Sequence, residues 1–326
     1  MESCELFGKN IVIFGGAGSL GRVLTRRLME HNNIFIFSRD EAKHHYMKQD
    51  MDCSHVQFCI GDVRDSSKVK SYLRDVDPEI VINAAAMKQV PACEFFPEEA
   101  LFTNTIGTKS IVDAVDELFC GRTVLSISTD KACLPVNAYG MTKALQERIH
   151  LNGKNNNFKC VRYGNVLEST GSVIPFFKDK IQKRENLPVT HEEMTRFFLS
   201  LEESVDLILF AINSTTDGAI FVPKVRSAKI TDLAEVMLED LAPELDYYIT
   251  KIRPGEKIHE ILISEDETRR TYTSTYTNKP FVIYDIKRED VDFSDSPHRL
   301  TKEYSSKDYL MTKDELRDFL RTRGVI

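Results

Sequence analysis

The sequence predicts an α/β fold: a doubly wound parallel sheet with a smaller C-terminal lobe. Three observations lead there. Short runs of β-branched and aromatic residues, each too short for a helix, recur along the chain. Amphipathic helical patterns fill the gaps between them. The first run ends in a cluster of glycines that opens the first helical stripe.

Asn10–Phe14 is the first strand run. Leu20, Val23, Leu24 and Leu28 then fall at i, i+3, i+4 and i+8, which places them on one face of a helix. Further strand runs are Ile34–Phe37, Val56–Ile60, Ile80–Ile82, Thr123–Ile127, Lys159–Tyr163 and Ile220–Val222. Ser200-Leu201-Glu202-Glu203 is a capping box ahead of Val205, Ile208, Leu209 and Ile212 on one helical face. Thr231 is a candidate cap for a helix carrying Leu233, Val236 and Met237. Thr312-Lys-Asp-Glu315 starts a capped terminal helix. The alternation is regular to about residue 163; Pro175, Pro188, Pro223, Pro243 and Pro254 then interrupt it. The expected division is a nucleotide-binding unit over residues 1–165, which also receives a helix and strand from 197–222. Residues 166–326 mainly form a lobe that closes over the carboxyl ends of the strands, where open α/β sheets bind ligands.

The chain has 326 residues, with 43 Lys plus Arg against 50 Asp plus Glu, a formal charge of −7. Apolar residues at 42% and charged residues at 29% exclude a disordered chain, a coiled coil and a collagen-like fibre. The acidic balance argues against a nucleic-acid partner. No apolar run reaches the roughly 18–20 residues that cross a bilayer, and Met1–Gly8 lacks the cationic start and apolar core of a signal peptide. The expectation is a cytoplasmic protein with no membrane partner. The seven cysteines, Cys4, Cys53, Cys59, Cys93, Cys120, Cys133 and Cys160, are scattered with no Cys-x-x-Cys, so reduced buried thiols and no metal are expected. His44–His45 reads as a polar surface pair.

Phe14-Gly-Gly-Ala-Gly-Ser-Leu-Gly21 follows the first strand. Gly15, Gly18 and Gly21 form G-x-x-G-x-x-G, and Gly16, Gly18 and Gly21 form G-x-G-x-x-G. Either spacing lets the backbone turn tightly and approach a diphosphate at the helix N-terminus, with Ser19 and Leu20 in the same turn. The second strand ends in Ser38 and Arg39, with Lys43 one turn later; a hydroxyl and two cations suit the 2′-phosphate of NADP. Asp40 offers the alternative, a carboxylate turned inward to the ribose of NAD. Asp62 and Val63, after the third strand, are placed to hold adenine, and Ala84-Ala85-Ala86, after the fourth, to line the cofactor.

The fifth strand ends in Ser128-Thr129-Asp130-Lys131, and Tyr139 and Lys143 follow at a spacing of four, on one helical face. An ammonium at Lys143 would favour the phenolate of Tyr139 and let it take a proton from a sugar hydroxyl while hydride leaves for a nicotinamide. Asp130 beside Lys131 equips the same edge for β-elimination: the amine takes a proton from carbon next to a carbonyl, and the acid protonates a departing hydroxyl.

With these features the chain resembles the extended short-chain dehydrogenase/reductase family, whose fold is Rossmann-like. Within it the chain resembles the inverting UDP-N-acetylglucosamine 4,6-dehydratases (5-epimerising). The resembling stretches run in order: Gly15–Gly21, Ser38–Glu41, Ala84–Pro91, Asn104–Gly107, Ser128–Ala132, Asn137–Lys143, Val161–Val166, Gly171–Phe177, Met194–Phe197, Ile220–Lys224, Ile252–Lys257 and Glu303–Ser306. The resemblance implies that Tyr139 and Lys143 oxidise C4, with hydride passing to tightly bound NADP that is recycled within each turnover. Lys131 then takes the C5 proton, Asp130 protonates the leaving 6-hydroxyl, and Thr129 holds the 4-oxygen. Hydride returns to C6, and inversion at C5 gives a UDP-2-acetamido-2,6-dideoxy-β-L-arabino-hexos-4-ulose. It places Lys88 and Asn104 near the cofactor, and Lys88, Asn165, Val173, Arg196, Arg253 and Glu256 around UDP-N-acetylglucosamine. It also implies a homo-oligomer, a dimer or larger. One departure is Leu167-Glu-Ser-Thr-Gly171, where relatives carry a Gly-Ser-Arg-Gly-like stretch. A retaining 4,6-dehydratase, a UDP-sugar 4-epimerase and a non-catalytic NADP-binding protein remain alternative readings.

Overall fold

The computed structural model describes residues 6–51, 53–167, 171–273, 279–288 and 297–326. Cys4 and, within Leu167–Gly171, positions 168–170 lie outside the described residues.

The first half alternates strand and helix: β1 (Asn10–Phe14), α1 (Ser19–Leu28), β2 (Asn33–Ser38), α2 (Glu41–Asp50), β3 (Val56–Ile60), α3 (Ser66–Val76) and β4 (Ile80–Asn83). After β4 come α4 (Val90–Phe95), α5 (Pro97–Ala100), a π-helical turn Leu101–Ile106 and α6 (Gly107–Leu118). Then follow β5 (Thr123–Thr129), a 3₁₀ turn Asp130–Ala132, α7 (Ala138–Leu151) and β6 (Asn157–Tyr163). The six strands lie side by side as β3-β2-β1-β4-β5-β6, all parallel. The order reverses between β1 and β4, which opens a crevice at their carboxyl ends. Both faces of the sheet are buried, with the strand period of two. Ile11, Ile13, Ile34 and Ile36 face one core, and Val12, Phe14, Phe37, Val81 and Val124 the other.

The second half carries β7 (Asn165–Val166), α8 (Val173–Gln182), β8 (Leu187–Val189), β9 (Thr195–Leu199), α9 (Leu201–Asn213), β10 (Ala219–Val222), β11 (Ser227–Lys229) and α10 (Ile230–Leu241). It ends with β12 (Tyr247–Ile249), β13 (Ile261–Ile263), β14 (Thr271–Tyr272), β15 (Phe281–Tyr284), β16 (Tyr304–Ser305) and α11 (Lys313–Arg321). A separate core gathers Ile174, Phe177, Leu187, Leu233, Met237 and Leu316. The lobe also returns to the main sheet: β10 pairs parallel with β6, β15 antiparallel with β10, and β14 with β15. The last two joins are additions to the expected strands. Phe281 and Ile283 pack there with Ile220, Val222 and Tyr304, so burial of that face draws the segment in.

The capping boxes at Ser200–Glu203 and Thr312–Glu315 both form. Thr231 corrects an expectation: the cap of α10 is Lys229, two residues earlier, and Thr231 lies buried in its first turn. Ile230 is 5% exposed in the lobe core and its N–H donates to the Met194 carbonyl, which pulls the helix start forward. His44 corrects another. It is 4% exposed, because α2 turns His44 and Met47 toward the sheet; the ring meets Phe58 and bonds the Ser38 hydroxyl. Among the described cysteines Cys93, Cys133 and Cys160 are buried, but Cys53 and Cys59 are half-buried and Cys120 is exposed.

Candidate active site

A cleft of about 1180 Å³ runs along the carboxyl ends of the strands beneath the second lobe, and Gly18, Ser38, Lys88, Lys131, Asn165 and Arg253 all line it. Its first end is built by glycines. Gly15 has φ +77°, and a Cβ there would lie 2.7 Å from the Cα of Ala85, so the loop after β1 sits directly on the loop after β4. At Gly21 a Cβ would lie 2.3 Å from the Gly16 carbonyl oxygen, which the turn brings under α1. No side chain caps the start of α1 and its first turn holds no acid. Gly18, Ser19, Leu20, Val63, Ala84 and Ala85 share the cleft wall. This bare helix N-terminus fits a diphosphate.

At the end of β2 the Ser38 hydroxyl lies 2.6 Å from His44 Nε2. Asp40 accepts the Lys43 N–H at 3.0 Å as the cap of α2, and pairs with Lys43 Nζ at 3.0 Å. That carboxylate caps the helix while Asp40 still lines the cleft. Arg39 is exposed beside the cleft, 3.6 Å from Asp62. Asp62 turns away from the cleft: it accepts from the Arg64 N–H (2.9 Å) and Nε (2.8 Å). Of the expected adenine pair, only Val63 lines the cleft. Asn104 is also corrected. Fully buried, it accepts from the Met87 N–H (2.8 Å) and donates to the Met87 carbonyl (3.0 Å) and Thr142 Oγ1 (3.0 Å). It braces the segment that carries Lys88 and does not line the cleft. Lys88 itself is solvent-accessible at the wall, its ammonium lowered by partial desolvation.

At the centre, β5 delivers Thr129 to the cleft floor and the 3₁₀ turn carries Asp130 and Lys131. Asn137 caps α7 by accepting from the Gly140 N–H at 2.7 Å, which sets Tyr139 in the first turn. Gly140 is the reason α7 can come so close: a Cβ there would lie 2.2 Å from the Lys131 carbonyl oxygen. Tyr139 is buried, which pushes its phenol up to about 12; Lys131 and a hydrogen bond with Thr129 pull the other way. Lys143 lines the same cleft as Tyr139. Lys143 Nζ donates to the Ile127 carbonyl (2.6 Å) and Gln146 Oε1 (2.5 Å), and burial brings it down to about 8.

Asp130 is fully buried. Its Oδ1 accepts from Thr129 Oγ1 (2.9 Å) and Lys131 Nζ (3.1 Å), while Oδ2 has no hydrogen-bond partner. Burial raises its carboxyl above the usual range. Lys131 is also 3.2 Å from Oε1 of Glu260, a residue the sequence did not single out. Asp130 and Glu260 together hold the Lys131 ammonium well above its ordinary value against desolvation. Glu260 is 2% exposed and held below its ordinary value by Lys131, Arg196 and Lys257. Arg196 belongs chiefly to this scaffold: Nη1 donates to the carbonyls of Thr195 (2.7 Å) and Ile258 (3.1 Å), and Nε is 3.8 Å from Glu260.

Toward the second lobe, Asn165, Val173, Arg253 and Glu256 line the same cleft. Asn165 Oδ1 is buried with no partner, and Arg253 is exposed, 4.0 Å from Glu256, whose carboxylate accepts the Arg253 N–H. Behind the catalytic turn, Arg162 is 2% exposed and donates to Glu147 (2.9 and 2.6 Å) and Glu267 (2.8 and 2.9 Å). Glu147 also accepts from Ser128, the residue before Thr129. No group of three metal-ligating side chains occurs among the described residues, and no described helix is long and apolar enough to cross a membrane.

A family model described as polysaccharide biosynthesis protein matches residues 11–280. UDP-N-acetylglucosamine 4,6-dehydratase (inverting) of Campylobacter jejuni subsp. jejuni strain 81-176 is 44% identical over 275 residues, 81% of this chain and 80% of that protein. UDP-glucose 4-epimerase of Rickettsia bellii strain OSU 85-389 is 38% identical over 271 residues, 79% of each. The solved structure of Pen from Bacillus thuringiensis superposes with a TM-score of 0.89 at 27% identity, covering 100% of both chains.

Proposed function

The chain belongs to the polysaccharide biosynthesis protein family, and from that premise we propose that it is a UDP-N-acetylglucosamine 4,6-dehydratase that inverts C5 and works with NADP. The observation that carries this reading is the pair of buried Asp130 and half-buried Lys131 on the cleft floor against Tyr139 and Thr129. An oxidation and reduction at C4 alone, as in a 4-epimerase, has no use for an acid and a base of this kind. The 38% relative named as an epimerase matches the chain less well than the 44% relative named as a dehydratase.

In this reading the glycine turn and the start of α1 would hold the cofactor diphosphate, and Ser38, Arg39 and Lys43 a 2′-phosphate. A nicotinamide held there would supply the hydride chemistry that oxidises C4 and reduces C6. Tyr139 takes the O4 proton, Thr129 holds O4, Lys131 takes the C5 proton next to the ketone, and Asp130 protonates the departing O6. Asn165 and Arg253 bind the sugar diphosphate, Arg253 by charge-assisted bonds. The product is the UDP-2-acetamido-2,6-dideoxy-β-L-arabino-hexos-4-ulose.

Incubation with UDP-N-acetylglucosamine should give a 4-ketone that has lost one water, with no net NADPH. Stoichiometric NADPH, or a product isomeric with the substrate, contradicts the reading; the ring-proton couplings of the product decide inversion against retention at C5. Cofactor choice has its own test. Arg39→Ala should weaken NADP by about 10-fold or more in a binding titration while leaving NAD unchanged; equal losses for both would assign Arg39 elsewhere.

A further inference from the structure

A base must be an amine at the moment it acts, yet Lys131 rests as an ammonium between the Asp130 carboxyl, Oδ1 at 3.1 Å, and the Glu260 carboxylate, Oε1 at 3.2 Å. Asp130 in turn must hold a proton to give to O6. Those two demands leave the ammonium proton of Lys131 without a destination inside the Asp130–Lys131 pair. Glu260 supplies one. It reaches the cleft floor from the segment just before β13, is 2% exposed, and its Oε2 has no hydrogen-bond partner.

We propose that Glu260 is the positioning residue that makes Lys131 a base, by standing as its counter-ion at rest and receiving its proton when the cleft closes on substrate. The inference rests on the dehydratase reading above. At rest Glu260 carries the negative charge opposite Lys131, so Asp130 keeps its proton; burial raises Asp130 while the cations lower Glu260, the division this role requires. With water expelled, a neutral acid and amine are favoured over an ion pair. The Nζ–H bond breaks and a Glu260 O–H bond forms. Lys131 then takes the C5 proton, the electron pair forms the C5–C6 double bond, and the C6–O6 bond breaks as Asp130 gives its proton to O6. One proton later leaves the Lys131–Glu260 pair as one joins C5, so the pair ends as it began. Asp130 regains its proton from Tyr139, which took one from O4; Thr129 is hydrogen-bonded to both.

The charged and titratable groups facing Glu260 are Lys131, Asp130, Arg196 and Lys257, with Tyr139 beyond Lys131. The test follows exchange into water of the C5 label of UDP-N-acetylglucosamine deuterated at C5, a loss that requires the Lys131 step on the face Lys131 attacks. In wild type, exchange should be nearly flat from about pH 7 to about pH 9, because the proton moves internally. In Glu260→Gln, Lys131 must lose its proton to water. Exchange should fall about 10²-fold or more at neutral pH and rise by about one decade per pH unit. Glu260→Asp should recover both the rate and the flat profile in part. A Glu260→Gln enzyme with the wild-type rate or a flat profile overturns the proposal. So does equal loss in Gln and Asp variants together with a lowered melting temperature, the mark of a purely structural role. If wild type forms no ketone from UDP-N-acetylglucosamine, the dehydratase reading itself falls, and this inference with it.

Discussion

Lys131→Ala should fold and bind cofactor and UDP-N-acetylglucosamine, yet exchange the C5 proton with D2O about 10³-fold more slowly than wild type. The size of the effect follows from position. Lys131 Nζ is the cation at the centre of the Asp130, Glu260 and Tyr139 group, and no neighbour can replace it as base. Arg196 and Lys257 are bonded back to main-chain carbonyls, at 2.7 Å to Thr195 and 2.6 Å to Cys133. Asp130→Asn provides the complementary case. It should keep C5 exchange but lose elimination of water, because the amide cannot protonate O6. C5 exchange at the normal rate in Lys131→Ala would remove it from the base role. An Asp130→Asn enzyme that loses dehydration but still epimerises C4 would favour the epimerase.

The second large effect concerns stability. Arg162→Leu should destabilise the fold by about 3–5 kcal/mol, since it removes the cation bonded to both buried Glu147 and Glu267 and leaves Glu267 with Arg270, 3.6 Å away, as its remaining cation. Arg162 holds Glu267 down to about 2, against an ordinary value of 4.5. A carboxyl depressed in the folded state adds stability that is complete above its unfolded value and is lost as pH falls toward its folded one. The gap between wild type and Arg162→Leu should therefore be widest near neutral pH and narrow as pH drops from about 4.5 toward about 2. Denaturant unfolding across that range measures it, and a gap independent of pH would show that the charges are not the cause. Because Ser128 bonds Glu147 directly before Thr129, the variant should also disturb the catalytic turn.

Much of this architecture is legible from local pattern. β1, β2 and β4 announce themselves because a strand buried on both faces must be almost wholly apolar over a few residues. The capping boxes at Ser200 and Thr312 are local chemistry and form as written. Other readings failed where a longer-range contact outweighed a local preference. Thr231 has the residue type of a cap, but burial of Ile230 moved the helix start. Asn104 sits in a stretch resembling cofactor-binding relatives, yet the π-helical turn aims it at the Met87 backbone.

By itself the sequence determined the succession of strands β1 to β6, the glycine turn, and the presence of Thr129, Asp130, Lys131 and Tyr139 at one strand end, since each is set by neighbours a few residues away. Only the tertiary structure decided the charge states in the site. Glu260 meets Lys131, and Glu267 meets Arg162, across long separations in the chain. Where an acid or an amine keeps its proton depends on burial and on which charges stand beside it, and those neighbours are brought together only by folding.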